Sequence, residues 1–388
     1  MNKACRVNMV TTNFFGQGAL EFLPEEVKKR NYKKTLIITD GFLYESGVAT
    51  QVGKLLERVD VQSYIYYGVK PNPTTAVINE ALSVAKEIKP DFIVALGGGS
   101  AIDTCKAVGI VLANNGDIRD YEGVNKSKNP ALPIVAINTT AGTGSEVTTF
   151  YVITDEETHS KMVMIDPNCS VWIAINDAEL MRSMPKGLTA ATGMDAMTHA
   201  IEAVLSKRAT PFTDKDALWA IKTIKEYLPR AAKDGNDIEA REMMAYAQYS
   251  AGLAFSNAGL GMVHSMAHSL GGFYNLPHGI CNAVLLPYVM AYNGESLEVQ
   301  ERFKLIFEAL GLKGAFTYVP YRAMTESIRE IKKLSKEVGI PQSLSVLKVD
   351  TKDFEALAAL AIKDTCMPDN PRQASLQDVI EVYKRAYC

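Results

Sequence analysis

Asp91-Phe92-Ile93-Val94-Ala95-Leu96-Gly97-Gly98-Gly99-Ser100-Ala101-Ile102-Asp103-Thr104-Cys105-Lys106 reads as a buried strand that breaks at three glycines and continues as a helix. A strand delivering the chain to a glycine turn at a helix start leaves backbone N–H groups free and presents the positive end of the helix dipole, which suits phosphate. The pattern is neither G-x-G-x-x-G nor a P-loop, so a plain tight turn is the alternative reading. A second stretch repeats the design. Pro133-Ile134-Val135-Ala136-Ile137-Asn138-Thr139-Thr140-Ala141-Gly142-Thr143-Gly144-Ser145-Glu146 is again an apolar run that ends in a turn rich in glycine and hydroxyls. Two phosphate cradles suggest a dinucleotide.

Working outward, the apolar runs Thr35–Thr39, Ser63–Tyr67, Phe92–Leu96, Ile134–Asn138 and Val171–Ile175 predict strands. Between them lie amphipathic stretches such as Thr75–Ile88 and Ala101–Ala113. Alternation of this kind predicts a mainly parallel sheet covered by helices, with ligands collecting beyond the C-terminal strand ends. Past Pro185 the apolar spacing changes to three and four, as in Ala217, Leu218, Ile221, Ile224 and Leu228, and predicts helices. The expected organisation is an α/β dinucleotide-binding domain over 1–185 and an all-α domain over 186–388, with the chemistry in the cleft between them.

The helical half carries a concentration of metal-type ligands. Four of the five histidines fall between His199 and His278, and Asp195 lies one helical turn before the first. Asp195 and His199 are four residues apart, as are His264 and His268, so each pair projects from one face of a helix. His278 follows in Leu276-Pro277-His278-Gly279. Imidazole and carboxylate suit a borderline divalent ion such as Zn²⁺ or Fe²⁺. Their apolar neighbours, among them Ala196, Met197, Val263 and Met266, imply a buried setting in which an unpaired carboxylate would be costly. The alternative is that each histidine is a hydrogen-bonded core residue. His159, in Asp155-Glu156-Glu157-Thr158-His159-Ser160, reads as a solvated turn residue. Asp40 closes the first predicted strand, where a carboxylate accepts from an adenosine ribose and repels the extra phosphate of NADP, favouring NAD; an ordinary turn residue is the alternative.

Composition excludes several classes. The 388 residues, 47% hydrophobic and 22% charged, describe an ordinary globular enzyme. A formal net charge of −3 offers no electrostatic footprint for nucleic acid or an anionic membrane. Met1–Val10 lacks a signal-peptide core, and no stretch reaches the roughly 18 apolar residues of a membrane span, so a cytoplasmic protein is expected. Six dispersed cysteines without a C-x-x-C pair fit reduced thiols.

Taken together, Gly193–Glu202, Val263–Gly272, Pro277–Gly279, Gly97–Lys106 and Asn138–Glu146 resemble the iron-containing (group III) alcohol dehydrogenases. The likeness runs from Asn13-Phe14-Phe15-Gly16 to Asn370-Pro371-Arg372, and within the family it is to lactaldehyde (1,2-propanediol), 1,3-propanediol and NAD-dependent methanol dehydrogenase types. The resemblance implies that Asp195, His199, His264 and His278 hold one divalent ion, Fe²⁺ or in some members Zn²⁺. It implies that His268, which spacing alone would make a ligand, is instead a non-ligand histidine beside nicotinamide and substrate. Gly97, Gly98, Gly99, Ser100, Thr139, Thr140 and Thr143 then match pyrophosphate and nicotinamide-side contacts of NAD, and Asn72, Asp103 and Lys161 further cofactor-side positions. For Asn72, in Pro71-Asn72-Pro73, a simple turn is the alternative.

Phe150, Phe255, Leu260 and Cys366 fall near positions that line the pocket in the relatives, implying a small apolar cavity for short primary alcohols, diols or aldehydes; core packing is the alternative for the aromatics. Phe150 stands where lactaldehyde reductases carry Asn, which removes a partner for a second hydroxyl and argues against a 1,2-diol preference. The resemblance also implies a homo-oligomer. Two other classes are weaker: a lyase of the dehydroquinate synthase kind needs clustered cations for a phosphorylated substrate, and a non-catalytic metal-binding protein has no use for two phosphate cradles.

Overall fold

A computed structural model describes residues 7–9, 12–158, 160–314 and 319–388; His159 and one of the six cysteines, Cys5, lie outside the described residues. The chain forms two compact units, one of residues 8–140 and 144–182, the other built mainly of 183–388 together with Ala141–Thr143.

In the first unit the strands are β1 (Thr12–Phe15), β2 (Lys34–Asp40), β3 (Gln62–Val69), β4 (Phe92–Gly97), β5 (Gly123–Val124), β6 (Ile134–Asn138), β7 (Phe150–Asp155), β8 (Ser160–Ile165) and β9 (Ile173–Asn176). Six of them form one parallel sheet in the order β1-β9-β6-β4-β2-β3. Its central strands are fully buried, as an all-apolar run such as Phe92–Leu96 requires when helices cover both faces. The helices of this unit are α1 (Leu23–Lys28), α2 (Gly41–Glu45), α3 (Val48–Glu57), α4 (Thr75–Ile88) and α5 (Gly99–Asn114). α4 shows why such segments are helical: Thr74 caps the Val77 N–H, and Val77, Ile78, Ala81, Leu82 and Ala85 bury one stripe.

Three features depart from the sequence reading. The last strand of the sheet begins at Ile173 instead of Val171, and β1, with only four half-buried residues, carries too short a pattern to predict. A separate three-stranded sheet pairs β5 parallel with β8 and β8 antiparallel with β7.

The second unit contains α6 (Lys186–Leu205), α7 (Pro211–Lys233), α8 (Ile238–Ala258), α9 (Met262–Tyr274), α10 (His278–Asn293), α11 (Leu297–Ala309), α12 (Pro320–Glu337), α13 (Phe354–Lys363) and α14 (Leu376–Tyr387). α6 is its axis, packed against α7, α8 and α10 and buried on nearly every side from Thr189 to Leu205. Among the described residues no helix is long and apolar enough to cross a membrane.

Candidate active site

The glycine turn is built as the sequence reading expects. β4 ends at Gly97, whose φ of +149° suits glycine, and α5 starts at Gly99 with Gly98 as its N-cap residue. Thr139 donates its N–H to the Gly97 carbonyl at 3.1 Å, and a Cβ on Gly98 would lie 2.8 Å from the Thr140 side chain, so the two turns abut. Thr140 is itself held by the Asn138 carboxamide oxygen, which accepts from its N–H at 3.1 Å.

Deeper in, Asp103 accepts from the Ser145 hydroxyl (2.6 Å) and the Val152 N–H (3.0 Å), so both its oxygens hold the second turn and β7 against α5. The fully buried Lys106 ammonium completes the brace, donating to the carbonyls of Ser145 (2.5 Å), Thr148 (2.9 Å) and Phe150 (2.7 Å). Asp40 spends one oxygen capping α2 at the Leu43 N–H. Asn72, at φ +54°, accepts from the Lys161 ammonium at 2.8 Å, so those two candidates are neighbours. Thr143 belongs to the helical unit.

In the helical unit, α6 presents Asp195, His199 and Glu202 along one face, α9 presents His264, and α10 opens with His278. One donor atom from each of Asp195, His199, His264 and His278 lies within 4.8 Å of the others. Asp195 Oδ1 is 3.8 Å from His264 Nε2 and 3.6 Å from His278 Nε2. Bonds of about 2.1 Å to a tetrahedral ion would put neighbouring donors about 3.4 Å apart, so these spacings fit a single divalent cation. Burial favours the neutral imidazole that a metal needs: it pulls His199 down to about 4. The His199 ring is sandwiched between Phe255 (centroids 4.2 Å) and His264 (4.6 Å), so Phe255 steadies a donor.

Two carboxylates that spacing did not single out stand behind the imidazoles. Glu202 Oε2 is 2.6 Å from His264 Nδ1, and its Oε1 accepts the Val263 N–H at 2.7 Å, capping an α9 that has no cap of its own. Asp364 Oδ2 is 2.8 Å from His268 Nδ1, while its Oδ1 accepts from Cys366 N–H (2.8 Å) and the Ser265 hydroxyl (3.2 Å). Burial opposes ionisation of Asp364, yet its contact with His268 holds the carboxyl below its usual range. Cys366 is buried beside them and its thiol is pushed well above its usual range by burial. Glu202 is legible in retrospect, seven residues past Asp195 on the same helical face. Asp364 gives no such signal, because its partner is 96 residues away.

The chain is similar to known proteins over nearly its whole length. Residues 11–178 match the iron-containing alcohol dehydrogenase family and residues 189–387 the C-terminal part of the Fe-containing alcohol dehydrogenase family. The chain belongs to the iron-containing alcohol dehydrogenase family. It is 45% identical to the NAD-dependent methanol dehydrogenase of Bacillus methanolicus, covering 97% of this chain and 100% of that one. Against the lactaldehyde reductase of Escherichia coli K12 it is 44% identical, over 99% and 100%. A solved 1,3-propanediol oxidoreductase superposes with a TM-score of 0.95 at 40% identity, over 99% and 100%.

Proposed function

We propose that this chain transfers a hydride between NAD(H) and a short primary alcohol or diol, or the corresponding aldehyde, at a centre formed by Asp195, His199, His264 and His278. The observation that carries this reading is the convergence of those four donors from α6, α9 and α10, with Asp195, His199 and His264 buried and His278 partly exposed. A divalent ion held there, proposed to be Fe²⁺ with Zn²⁺ the alternative, lowers the pKa of an alcohol hydroxyl or polarises an aldehyde carbonyl. NAD supplies the hydride acceptor.

The protein's own groups prepare the rest. Glu202 accepts the Nδ1–H of His264 and so turns the lone pair of Nε2 toward Asp195. Asp364 does the same for His268, leaving Nε2 to take the alcohol proton in oxidation and return it in reduction. Gly97, Gly98, Gly99, Ser100, Thr139 and Thr140 offer backbone N–H and hydroxyl donors to the pyrophosphate, with Thr143, Asn72 and Lys161 toward the rest of the cofactor and Asp40 toward the ribose. Asp103 serves the cofactor by bracing the second turn through Ser145. Phe255, Leu260 and Cys366 of the helical unit and Phe150 of the other unit are all buried, in keeping with the small, apolar substrate-side positions proposed for them.

The test is to remove bound metal, restore Fe²⁺, Zn²⁺, Mn²⁺ or Mg²⁺ separately without oxygen, and follow NADH formation over a panel of short alcohols and diols. Fe²⁺ should restore the highest rate, with methanol-to-propanediol-sized substrates preferred. No NADH with any ion and any short alcohol would overturn the reading.

A further inference from the structure

On the same face of α10 as His278, one turn later, the fully buried Asn282 reaches into the donor cluster. Its amide nitrogen lies 2.6 Å from Asp195 Oδ1, 3.1 Å from His264 Nε2 and 3.0 Å from His278 Nε2. An amide NH₂ carries two hydrogens, so three acceptors exceed what it can satisfy. Its own Oδ1 is buried with no hydrogen-bond partner. A carboxamide ordinarily placed for internal bonding would not leave one end orphaned and crowd the other. The arrangement instead places a neutral, weakly ligating group within reach of the atoms proposed to hold the ion.

Resting on the metal-centre reading above, we propose that Asn282 is a positioning residue of that centre. Its amide donates to Asp195 Oδ1, which has lone pairs both for that N–H and for an ion, while the single Nε2 lone pairs of His264 and His278 are left for the ion, and its neutrality keeps the coordination sphere open. An acid at 282 would reach the same donors with a carboxylate oxygen, become a further ligand, and take the position that a substrate oxygen needs.

The experiment uses the Zn²⁺-loaded protein and follows metal release to excess chelator with a colorimetric zinc indicator, alongside kcat and KM for a short alcohol. Asn282→Ala should release Zn²⁺ about 10- to 100-fold faster than wild type, the usual range for losing an outer-shell partner. Asn282→Asp should retain Zn²⁺ at least as long as wild type while kcat falls at least tenfold, a split that a general loss of packing would not produce. Release from Asn282→Ala at the wild-type rate, or faster release from Asn282→Asp, overturns the proposal. If thermal melts show that the alanine variant is unfolded, Asn282→Leu, close in shape but without N–H groups, takes its place with the same expected release. Wild type that binds no Zn²⁺ at all would instead sink the metal-centre reading, so the two failures are distinguishable.

Discussion

At the residue scale, the two histidine–carboxylate pairs are proposed to have different duties and should fail differently. His268 is held by Asp364 and lies outside the group of four donors, so His268→Ala should slow turnover by about 100-fold, within the range for general acid–base groups, with metal content unchanged. Metal analysis of the purified variant checks this; a variant empty of metal would make His268 a ligand. Glu202 makes a prediction of opposite character. Burial pushes its carboxyl up to about 7, above its ordinary value of 4.5, so the folded chain holds a proton that the unfolded chain has lost between those two values. Stability conferred by that group is therefore present at low pH and lost as pH rises through 7. Glu202→Gln mimics the protonated form. In chelator-treated samples the melting temperature of Glu202→Gln relative to wild type should rise between pH 5 and pH 8, and a gap independent of pH would refute the assignment. With metal bound the order should reverse, because the carboxylate is then needed to orient His264.

At the scale of elements, the donors are aligned by close helix contact. Gly279, the second residue of α10, lies so near α6 that an added Cβ would sit 2.3 Å from the Ala191 carbonyl oxygen and 3.3 Å from the Asp195 Cβ. The carbonyl is backbone and cannot swing away, so Gly279→Ala must push α10 off α6 and carry His278 with it. Overpacking of this kind costs about 1–3 kcal/mol. Chemical denaturation should show that loss, and zinc retention should fall with it; wild-type values for both would mean the helices have slack. The elements themselves were largely legible. β4 and β6 have undiluted apolar runs ending in glycine or hydroxyl turns, and α4 carries its stripe and its cap in adjacent residues. β1 was not, because its four residues gain strand identity only by pairing with β9, far along the chain. The site divides the same way. Asp195–His199 and His264–His268 announce themselves by helical spacing, whereas the Asp364–His268 and Asn282–Asp195 contacts exist only once helices pack. Spacing alone would make His268 a ligand like His264, since four-residue separation says which residues share a face and nothing about which neighbour each will meet; the structure sets it against Asp364, outside the group of four donors.

At the scale of the whole molecule, the candidate metal donors and the candidate cofactor turns fall in separate compact units, apart from one segment. Every candidate metal donor lies in the unit built mainly of 183–388, while the turns at 97–100 and 139–140 lie in the other. Ala141–Thr143 runs within the second turn yet belongs to the helical unit, where Gly142 is so close to α6 that a Cβ would lie 2.5 Å from that of Thr192. A ligand that binds only the folded state stabilises it by about 2.7 kcal/mol at a hundredfold excess over its Kd, and the protection falls on the elements it joins. Metal loading should therefore slow amide exchange in α6, α9 and the first turns of α10, and NAD should slow it in the first turn of α5 and in 139–140. Segment 141–143 should respond to both ligands, being continuous with the nucleotide turn and packed on the helix that carries Asp195 and His199. Hydrogen exchange read by mass spectrometry on metal-free, metal-loaded and NAD-saturated protein makes the comparison. Metal-dependent protection of 92–114 equal to that of α6 would show that the ion is held by different residues, and indifference of 141–143 to the metal would show that this crossing segment does not couple the two tasks.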